Sequence, residues 1–214
     1  MLKNKFITRS LCTMFFMAAP LAVAVTPGNA WNSKTIDYET HHNSTNLVEG
    51  SYQDNGPWTS YGWPPAANGS YRFLTRFIDP ARRGIAFWLV EIPTTGFYKL
   101  ETSFRASENR TSDADYAVYV NTTTADVENY KSIPVYKVSV SQHGSGVPWV
   151  NLGTYCLQKN AISMIVLDGR DDGQSDSTDG GRWTFMGTEY NSKSCGSQGV
   201  NMVPINYLLL KPVR

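Results

Sequence analysis

The sequence predicts an all-β protein, either an antiparallel β-sandwich or a barrel. Three observations lead to this prediction. Apolar and polar residues alternate over many short stretches, Gly, Pro, Asn and Asp separate those stretches at short intervals, and no amphipathic run long enough for a regular helix is present. Many short strands with turn signals between them are typical of two packed sheets or of one closed sheet.

The individual strands follow from the period of the hydrophobic pattern. Residues 71–77 place their aromatic side chains on one face, and residues 97–104 place Tyr98, Leu100 and Phe104 on one face and polar residues on the other. Residues 85–90 form a continuous apolar run, and residues 162–167 and 205–210 are more densely apolar than the alternating strands, which indicates strands nearer the centre of a sheet. Gly84 directly before residues 85–90 can mark the start of that strand.

The N-terminus is typical of a secretory signal peptide. Lys3, Lys5 and Arg9 form a basic segment, and an apolar run over residues 11–25 follows it. We favour cleavage after Ala30, with Ala24 as the second site; an uncleaved N-terminal anchor is the alternative. No later segment approaches the roughly 18 apolar residues that a membrane-spanning helix needs. We therefore expect a secreted protein, periplasmic or extracellular, with no membrane span after cleavage.

The rest of the chain, residues 31–214, suits a single domain. Removal of residues 1–30 takes away three of the 19 basic residues and none of the 18 acidic ones, and leaves a net charge of −2. Because no basic block remains, nucleic acid is not an expected partner.

Cysteine usage agrees with export. Cys12 lies in the signal segment, and Cys156 and Cys195 remain as an even pair in an oxidising compartment. We expect a disulfide between them, for which the chain-entropy argument gives roughly 4 kcal/mol for a loop of this length. Two free thiols are the alternative.

Several short motifs have the same order as in a known family. They are Gly96-Phe-Tyr-Lys-Leu after an Ile-Pro step, residues 114–120, residues 137–142, and Trp149-Val-Asn-Leu-Gly-Thr-Tyr155. In these motifs the chain, over roughly residues 35 to 212, resembles the carbohydrate-binding-like jelly-roll domains at the C-terminus of golvesin and in xanthan lyase. The resemblance implies an antiparallel β-sandwich of the jelly-roll kind found in galactose-binding and carbohydrate-binding modules.

No residues form a complete enzyme active site. His143 and Ser145 in a glycine-rich segment hint at a nucleophile and a base, but the Gly-x-Ser-x-Gly spacing is absent and a hairpin loop explains the segment better. Adjacent His41 and His42 face opposite sides of a strand and have no further ligand at a metal-binding spacing. Carboxylates for a glycosidase are plentiful, yet nothing selects a pair.

An acidic segment follows the strand at residues 162–167. Its carboxylates are Asp168, Asp171, Asp172, Asp176 and Asp179, spaced by Gly, Ser and Thr. Oxygen-rich loops suit calcium, and clustered carboxylates need either a cation or bulk water to screen them. The spacing is not that of an EF-hand. A mobile solvated loop and a structural calcium site are the two hypotheses, and the resemblance to jelly-roll binding modules supports the second.

Aromatic residues give the clearest indication of binding. Trp88 and Trp149 fall inside predicted strands, where a core explains them. Trp58, Tyr61 and Trp63 lie in a Gly- and Pro-rich segment that we interpret as a loop, and Trp183 follows the acidic segment. Flat aromatic faces on a loop suit the C–H faces of sugar rings. The alternative is a loop that folds back over the core as a lid.

These observations favour a secreted, non-catalytic module that binds carbohydrate or a cell-envelope glycan through Trp58, Tyr61, Trp63 and Trp183. The alternatives are a structural or adhesive protein that binds another extracellular protein, and a small polysaccharide-active enzyme.

Overall fold

The computed structural model describes residues 31–66, 69–74, 84–122, 136–169 and 174–196. The predicted signal peptide and the predicted strand at residues 205–210 lie outside these ranges. The elements within them are β1 Ser33–Asp37, α1 Tyr38–His41, β2 Ser51–Asn55, β3 Thr59–Gly62, β4 Ser70–Phe73, β5 Gly84–Glu91, β6 Gly96–Ser103, β7 Ala114–Thr122, β8 Tyr136–Val140, β9 Trp149–Leu157, β10 Ile162–Gly169, β11 Ser177–Thr178, β12 Gly180–Gly187, β13 Glu189–Tyr190 and β14 Lys193–Ser194.

Two antiparallel sheets form a β-sandwich, which confirms the predicted fold class. One sheet has the strand order β1-β12-β6-β9 and the other has the order β2-β5-β10-β7-β8. Strands that are neighbours in a sheet are distant in sequence, as β6 and β12 are, so the sandwich depends on long-range pairing. The start of β5 at Gly84 is as predicted.

The core lies between the two sheets. Trp88 of β5 and Trp183 of β12 are the largest of its fully buried side chains. The Trp183 indole satisfies its polar atom by donating a hydrogen bond from Nε1 to Ser163 Oγ at 2.9 Å. Space for the two rings comes from Gly181, where a Cβ would stand 3.1 Å from Trp88 Cγ and 3.1 Å from Trp183 Cζ3.

The apolar face predicted for β6 is confirmed, but Glu101 and Ser103 on its predicted polar face are buried as well. Tyr98 and Leu100 are fully buried, as predicted. Glu101, on the face predicted to be polar, is also buried, because its carboxylate pairs with Arg182 Nη2 at 2.9 Å and with Lys99 Nζ at 3.0 Å. Buried carboxylates need such partners.

A small third sheet, in the order β11-β4-β3, extends from the sandwich. The segment that contains Tyr61, predicted to be a loop, forms strand β3 and pairs with β4, so that Tyr61 stands opposite Tyr71. Strand β4 in turn pairs with β11, with Phe73 opposite Ser177. This sheet carries the aromatic side chains Tyr61, Tyr71 and Phe73 of the candidate site.

The predicted disulfide is confirmed between Cys156 in β9 and Cys195 after β14, with a Cα–Cα distance of 5.4 Å. It ties the β13–β14 hairpin to the sandwich. No helix in the described ranges is long and apolar enough to cross a membrane.

Candidate functional site

A pocket of about 610 Å³ lies where the third sheet faces two loops of the sandwich. The loops are residues 104–113, between β6 and β7, and residues 141–148, between β8 and β9. The pocket is lined by Tyr61, Tyr71, Phe73, Arg105, Ser107, Glu108, Asn109, Arg110, His143, Gln174 and Ser175. Aromatic rings, two guanidinium groups and several neutral polar groups therefore meet in one concavity.

One wall of the pocket consists of aromatic rings on β3 and β4. Tyr71 is buried at the centre, with its ring centroid 5.9 Å from that of Tyr61 and 6.0 Å from that of Phe73. Tyr61 is 55% exposed. Among the described residues only three large hydrophobic side chains are exposed to solvent, and Tyr61 is the most exposed of them and the one aromatic. An exposed ring beside a pocket is available to stack on a ligand.

Two arginines lie over this aromatic wall. The guanidinium carbon of Arg105 lies 4.4 Å from the centroid of Trp63 and 5.2 Å from that of Tyr71. That of Arg110 lies 5.7 Å from the Tyr71 centroid and 5.3 Å from the Phe73 centroid. The rings and cations thus alternate, and each contact is within the range of a cation–π interaction.

The Tyr71 hydroxyl joins the two arginines. It accepts a hydrogen bond from Arg105 Nη1 at 2.7 Å and one from Arg110 Nη2 at 3.3 Å. Arg110 is only 5% exposed and also donates to Ser175 Oγ. Burial lowers the pKa of Arg110, and the neighbouring Arg105 charge acts in the same direction.

A buried hydrogen-bond network holds the loop that carries the arginines. Fully buried Gln142 accepts from the Ser177 backbone N at 2.7 Å and donates from Nε2 to the Ser177 carbonyl at 2.9 Å and to Tyr116 Oη at 3.2 Å. The Gln142 carbonyl accepts from the Ser107 amide at 3.1 Å, and the Ser175 carbonyl accepts from the Thr111 amide at 3.0 Å. These hydrogen bonds hold the backbone of the loop at residues 104–113 against the neighbouring segments.

The rim of the pocket is polar and open. Glu108, Asn109, His143 and Gln174 are all exposed. His143 lies in the glycine-rich loop, which turns at Gly144 with φ 124° and at Gly146 with φ 86°, conformations that glycine adopts readily. The segment is a loop as predicted, but it is not a hairpin, because it joins β8 of one sheet to β9 of the other.

The chain matches the model of a known protein family. The family model of the golvesin C-terminal domain matches residues 42–179, which include all strands of the five-stranded sheet, β6 and β9 of the four-stranded sheet, and every residue that lines the pocket. The chain belongs to the golvesin C-terminal domain family. None of the curated protein sequences matches it.

Solved structures with a similar fold are distant in sequence from this golvesin-type domain. Xanthan lyase from Paenibacillus aligns with a TM-score of 0.57 and 15% identity over 72% of this chain, but over only 13% of the lyase. A family 35 carbohydrate-binding module from Clostridium thermocellum aligns with a TM-score of 0.46 and 12% identity over 71% of this chain and 98% of that module. The lyase supports the sandwich fold, and its activity belongs to a chain that is much longer than the aligned part.

The golvesin-type fold separates the four aromatic residues that the sequence singled out for binding. Tyr61 lines the pocket, and Trp63 lies behind it as the ring beneath Arg105. Trp58 is 7% exposed and packs in the main core. Trp183 is fully buried between the sheets. Neither of these two indoles presents a face to solvent.

Glycine explains the burial of Trp58. A Cβ at Gly84 would stand 2.8 Å from Trp58 Nε1 and 2.7 Å from Leu74 Cδ2, so only glycine leaves room for the indole there. Trp58 thus behaves as the lid on the core that was the alternative to binding. Trp88 is in the core as predicted, whereas Trp149 is only partly buried, beneath the guanidinium of Arg182.

The predicted calcium ligands are only partly described. Asp168 lies at the end of β10, and Asp176 and Asp179 are buried on either side of β11; Asp171 and Asp172 lie outside the described ranges. No three described His, Cys, Asp or Glu side chains are close enough together to hold a metal ion. Calcium at this segment stays a prediction.

The sequence did not single out Tyr71, Phe73, Arg105 or Arg110 as site residues. A signal for the first two was present, since alternation over residues 71–77 already placed their rings on one face. Two arginines within the short loop at residues 104–113, directly after a buried strand, were the signal for the others. Loops that a rigid scaffold positions often carry binding residues.

Proposed function

We propose that this protein is a secreted, non-catalytic module that binds carbohydrate in the pocket between the third sheet and the loop at residues 104–113. One observation carries the proposal. The exposed ring of Tyr61 stands at the edge of a pocket whose other groups are the rings of Tyr71 and Phe73 together with hydroxyls, amides and charges. Sugars combine apolar C–H faces with many hydroxyls, and such a wall and rim complement both.

The polar groups around the pocket match the hydrogen-bonding needs of a sugar. Asn109 and Gln174 each bring an amide donor and an acceptor, and Glu108 brings an acceptor. Ser107 lies beside them. Asn109, Gln174 and Glu108 are exposed and are therefore hydrated in the free protein. A ligand that hydrogen-bonds to them replaces this water, so these groups can orient the ligand without having been desolvated beforehand.

Two facts support a binding role over catalysis. Among the described lining residues Glu108 is the one carboxylate, whereas most glycosidases act with two. The golvesin C-terminal family and the fold shared with part of a polysaccharide lyase are consistent with a module that holds a polysaccharide while chemistry takes place elsewhere. Fold alone does not assign function, so the pocket carries the argument.

Export from the cytoplasm is part of the proposal. The N-terminal segment has the layout of a signal peptide, and the Cys156–Cys195 disulfide is of the kind that persists in oxidising compartments. A periplasmic or extracellular glycan is therefore the ligand that the protein meets.

A glycan array with the exported full-length protein, followed by titration of the best ligand, tests this function. Tyr61→Ala should weaken binding about tenfold, which corresponds to ~1.4 kcal/mol, because the ligand loses a stacking partner. Tyr61→Phe should retain most of the affinity, since it keeps the ring. Met186→Ala is the matched control: it is another exposed large hydrophobic residue, on β12 and not in the pocket lining.

Two outcomes would contradict the proposal. Failure of the wild-type protein to bind any glycan would leave an extracellular protein as the partner. Glycan binding that Tyr61→Ala does not change would place the site elsewhere on the molecule.

A further inference from the structure

The four arginines in the described part of the chain fall into two classes. Arg72 Nε lies 2.5 Å from Asp54 Oδ2, and Arg182 Nη2 lies 2.9 Å from Glu101 Oε2. Arg105 and Arg110 form no ion pair with any described carboxylate. Both of the arginines without a carboxylate line the pocket.

Arg110 and, in part, Arg105 are shielded from water, although neither has an anionic partner among the described residues. Arg110 is 5% exposed, so most of its hydration has been removed, and its partners are the neutral hydroxyls of Tyr71 and Ser175. The Nε atoms of Arg105 and Arg110 are buried and have no described hydrogen-bond partner; the same is true of Arg72 Nε, but that atom lies against the Asp54 carboxylate. A buried charge is ordinarily paired, because its desolvation is otherwise uncompensated.

The nearby carboxylates do not supply that pairing. Glu108 lines the same pocket but is exposed and forms no ion pair with either arginine. Asp176 acts on Arg110 through space, and its electrostatic effect on the pKa is smaller than that of burial. Hydrogen bonds between Gln142 and Ser177 and from the Ser107 amide to the Gln142 carbonyl hold the backbone of the loop that carries both arginines.

We propose that Arg105 and Arg110 bind an oxyanion carried by the saccharide, either the carboxylate of a uronic acid or a sulfate ester. Guanidinium groups present planar sets of N–H donors that match the oxygens of such anions, and the low dielectric of the pocket strengthens each contact. The rings of Trp63 and Phe73 contact the guanidinium groups of Arg105 and Arg110 respectively. This inference rests on the proposed function and names its substrate class.

Local charge, rather than the charge of the whole protein, would cause such binding. After removal of the predicted signal peptide the chain carries a net charge of −2, so a polyanion gains nothing from the average field. Preference for an anionic glycan would therefore report on the pocket.

The test compares pairs of ligands that differ only in charge. The exported full-length protein is titrated with oligogalacturonate and with its methyl ester, and with dextran sulfate and with dextran, all in EDTA so that calcium cannot bridge carboxylates. We expect at least tenfold tighter binding of the charged member of one pair. The pair that shows this preference identifies the anion as a carboxylate or a sulfate.

Three variants assign the preference to the arginines. Arg105→Gln and Arg110→Met should each lower the affinity for the charged ligand to that for its neutral partner. Lys137→Gln, which removes an exposed charge on β8, should not change it. The melting temperature of each arginine variant checks that it folds, since Arg110→Met also removes the hydrogen bonds that Arg110 donates to Tyr71 and Ser175.

Different outcomes contradict the oxyanion site and the proposed carbohydrate binding. Equal affinity for both members of both pairs overturns the oxyanion site and leaves carbohydrate binding intact. A preference for the charged ligand that survives Arg105→Gln and Arg110→Met also overturns it. If Arg110→Met does not fold, Arg105→Gln alone decides, since Arg105 is partly exposed. Absence of binding to every glycan contradicts the proposed function itself.

Discussion

Two arginines of this protein lie over a tryptophan ring, and the two stacks differ in one respect. The Arg182 guanidinium lies 4.1 Å from the Trp149 centroid and also pairs with Glu101, so cation, ring and anion are all present. The Arg105 guanidinium lies 4.4 Å from the Trp63 centroid and has no described carboxylate partner. The protein itself supplies both the ring and the anion for Arg182. For Arg105 it supplies the ring, and a ligand would have to supply the anion.

The surroundings of the two stacks agree with this difference. Arg182 and Glu101 stand opposite each other on β12 and β6, inside a continuous sheet. Arg105 lies just beyond the end of β6, in the loop that the third sheet faces. Regular sheet structure favours stability, and the loop beside it favours ligand binding.

The largest expected effect concerns the strand that carries Arg182. Trp183→Ala should cost about 3–5 kcal/mol of unfolding free energy, because it empties a fully buried site and leaves Ser163 Oγ without its donor. Urea denaturation followed by circular dichroism measures this. Met186→Ala on the same strand is exposed and should change the free energy by less than about 0.5 kcal/mol. Similar values for both variants would mean that β12 is not the structural strand that the comparison assumes.

The next effect concerns the sheet edge on the Arg182 side. Replacement of both Cys156 and Cys195 by Ser should lower the unfolding free energy by about 2–4 kcal/mol, because the bridge closes a loop of 39 residues and restricts the unfolded chain. Glycan binding by the folded variant should be unchanged, since neither cysteine lines the pocket. Lost affinity at full folding would show that the pocket depends on the distant hairpin.

We propose that the acidic segment binds calcium, and the melting temperature in calcium and in EDTA tests this. If the segment binds calcium, a hundredfold excess over Kd should stabilise the protein by about 2.7 kcal/mol, because only the folded state holds the ion. The joint substitution of Asp172 and Asp176 by Asn should abolish that response. Equal melting temperatures in calcium and in EDTA would leave a solvated loop. The result bears on the comparison because Asp176 acts electrostatically on Arg110.

Much of the fold, and less of the site, could be predicted from the sequence. The apolar face of β6 and the even pair of cysteines are local signals, and both led to correct predictions. Whether Trp58 or Tyr61 is exposed depends on Gly84, which approaches Trp58 only in the folded chain. Arg105 meets the Tyr71 hydroxyl across 34 positions, and no periodicity within one strand encodes such a contact.

A smaller effect tests whether the Glu101 anion stabilises the Arg182 stack. Glu101→Gln should cost about 1–2 kcal/mol, a value between that of a surface pair and that of a buried pair, because Arg182 and Lys99 keep partial access to water. Chemical denaturation at low and at high salt measures the loss. If Glu101→Gln is as stable as the wild type, the anion does not stabilise the Arg182 stack. The absence of a carboxylate at Arg105 would then no longer indicate that a ligand supplies one.

The smallest expected change in stability is at the Arg105 stack. Trp63→Ala should alter the unfolding free energy by less than about 0.5 kcal/mol, because the ring is partly exposed and its main partner is a loop cation. It should nevertheless weaken binding of the charged glycan about fivefold, or ~1 kcal/mol, since Arg105 loses the ring that holds its guanidinium in place. Trp149→Ala is the matched variant for the other stack. It should lower stability, because this ring lies on strand β9 and packs closely on β12, where a Cβ on Gly180 would stand 3.2 Å from its Cη2, and it should leave binding unchanged. If Trp63→Ala instead lowers stability like Trp149→Ala and leaves glycan affinity intact, the two stacks serve the same structural purpose, and the pocket arginines require a different explanation.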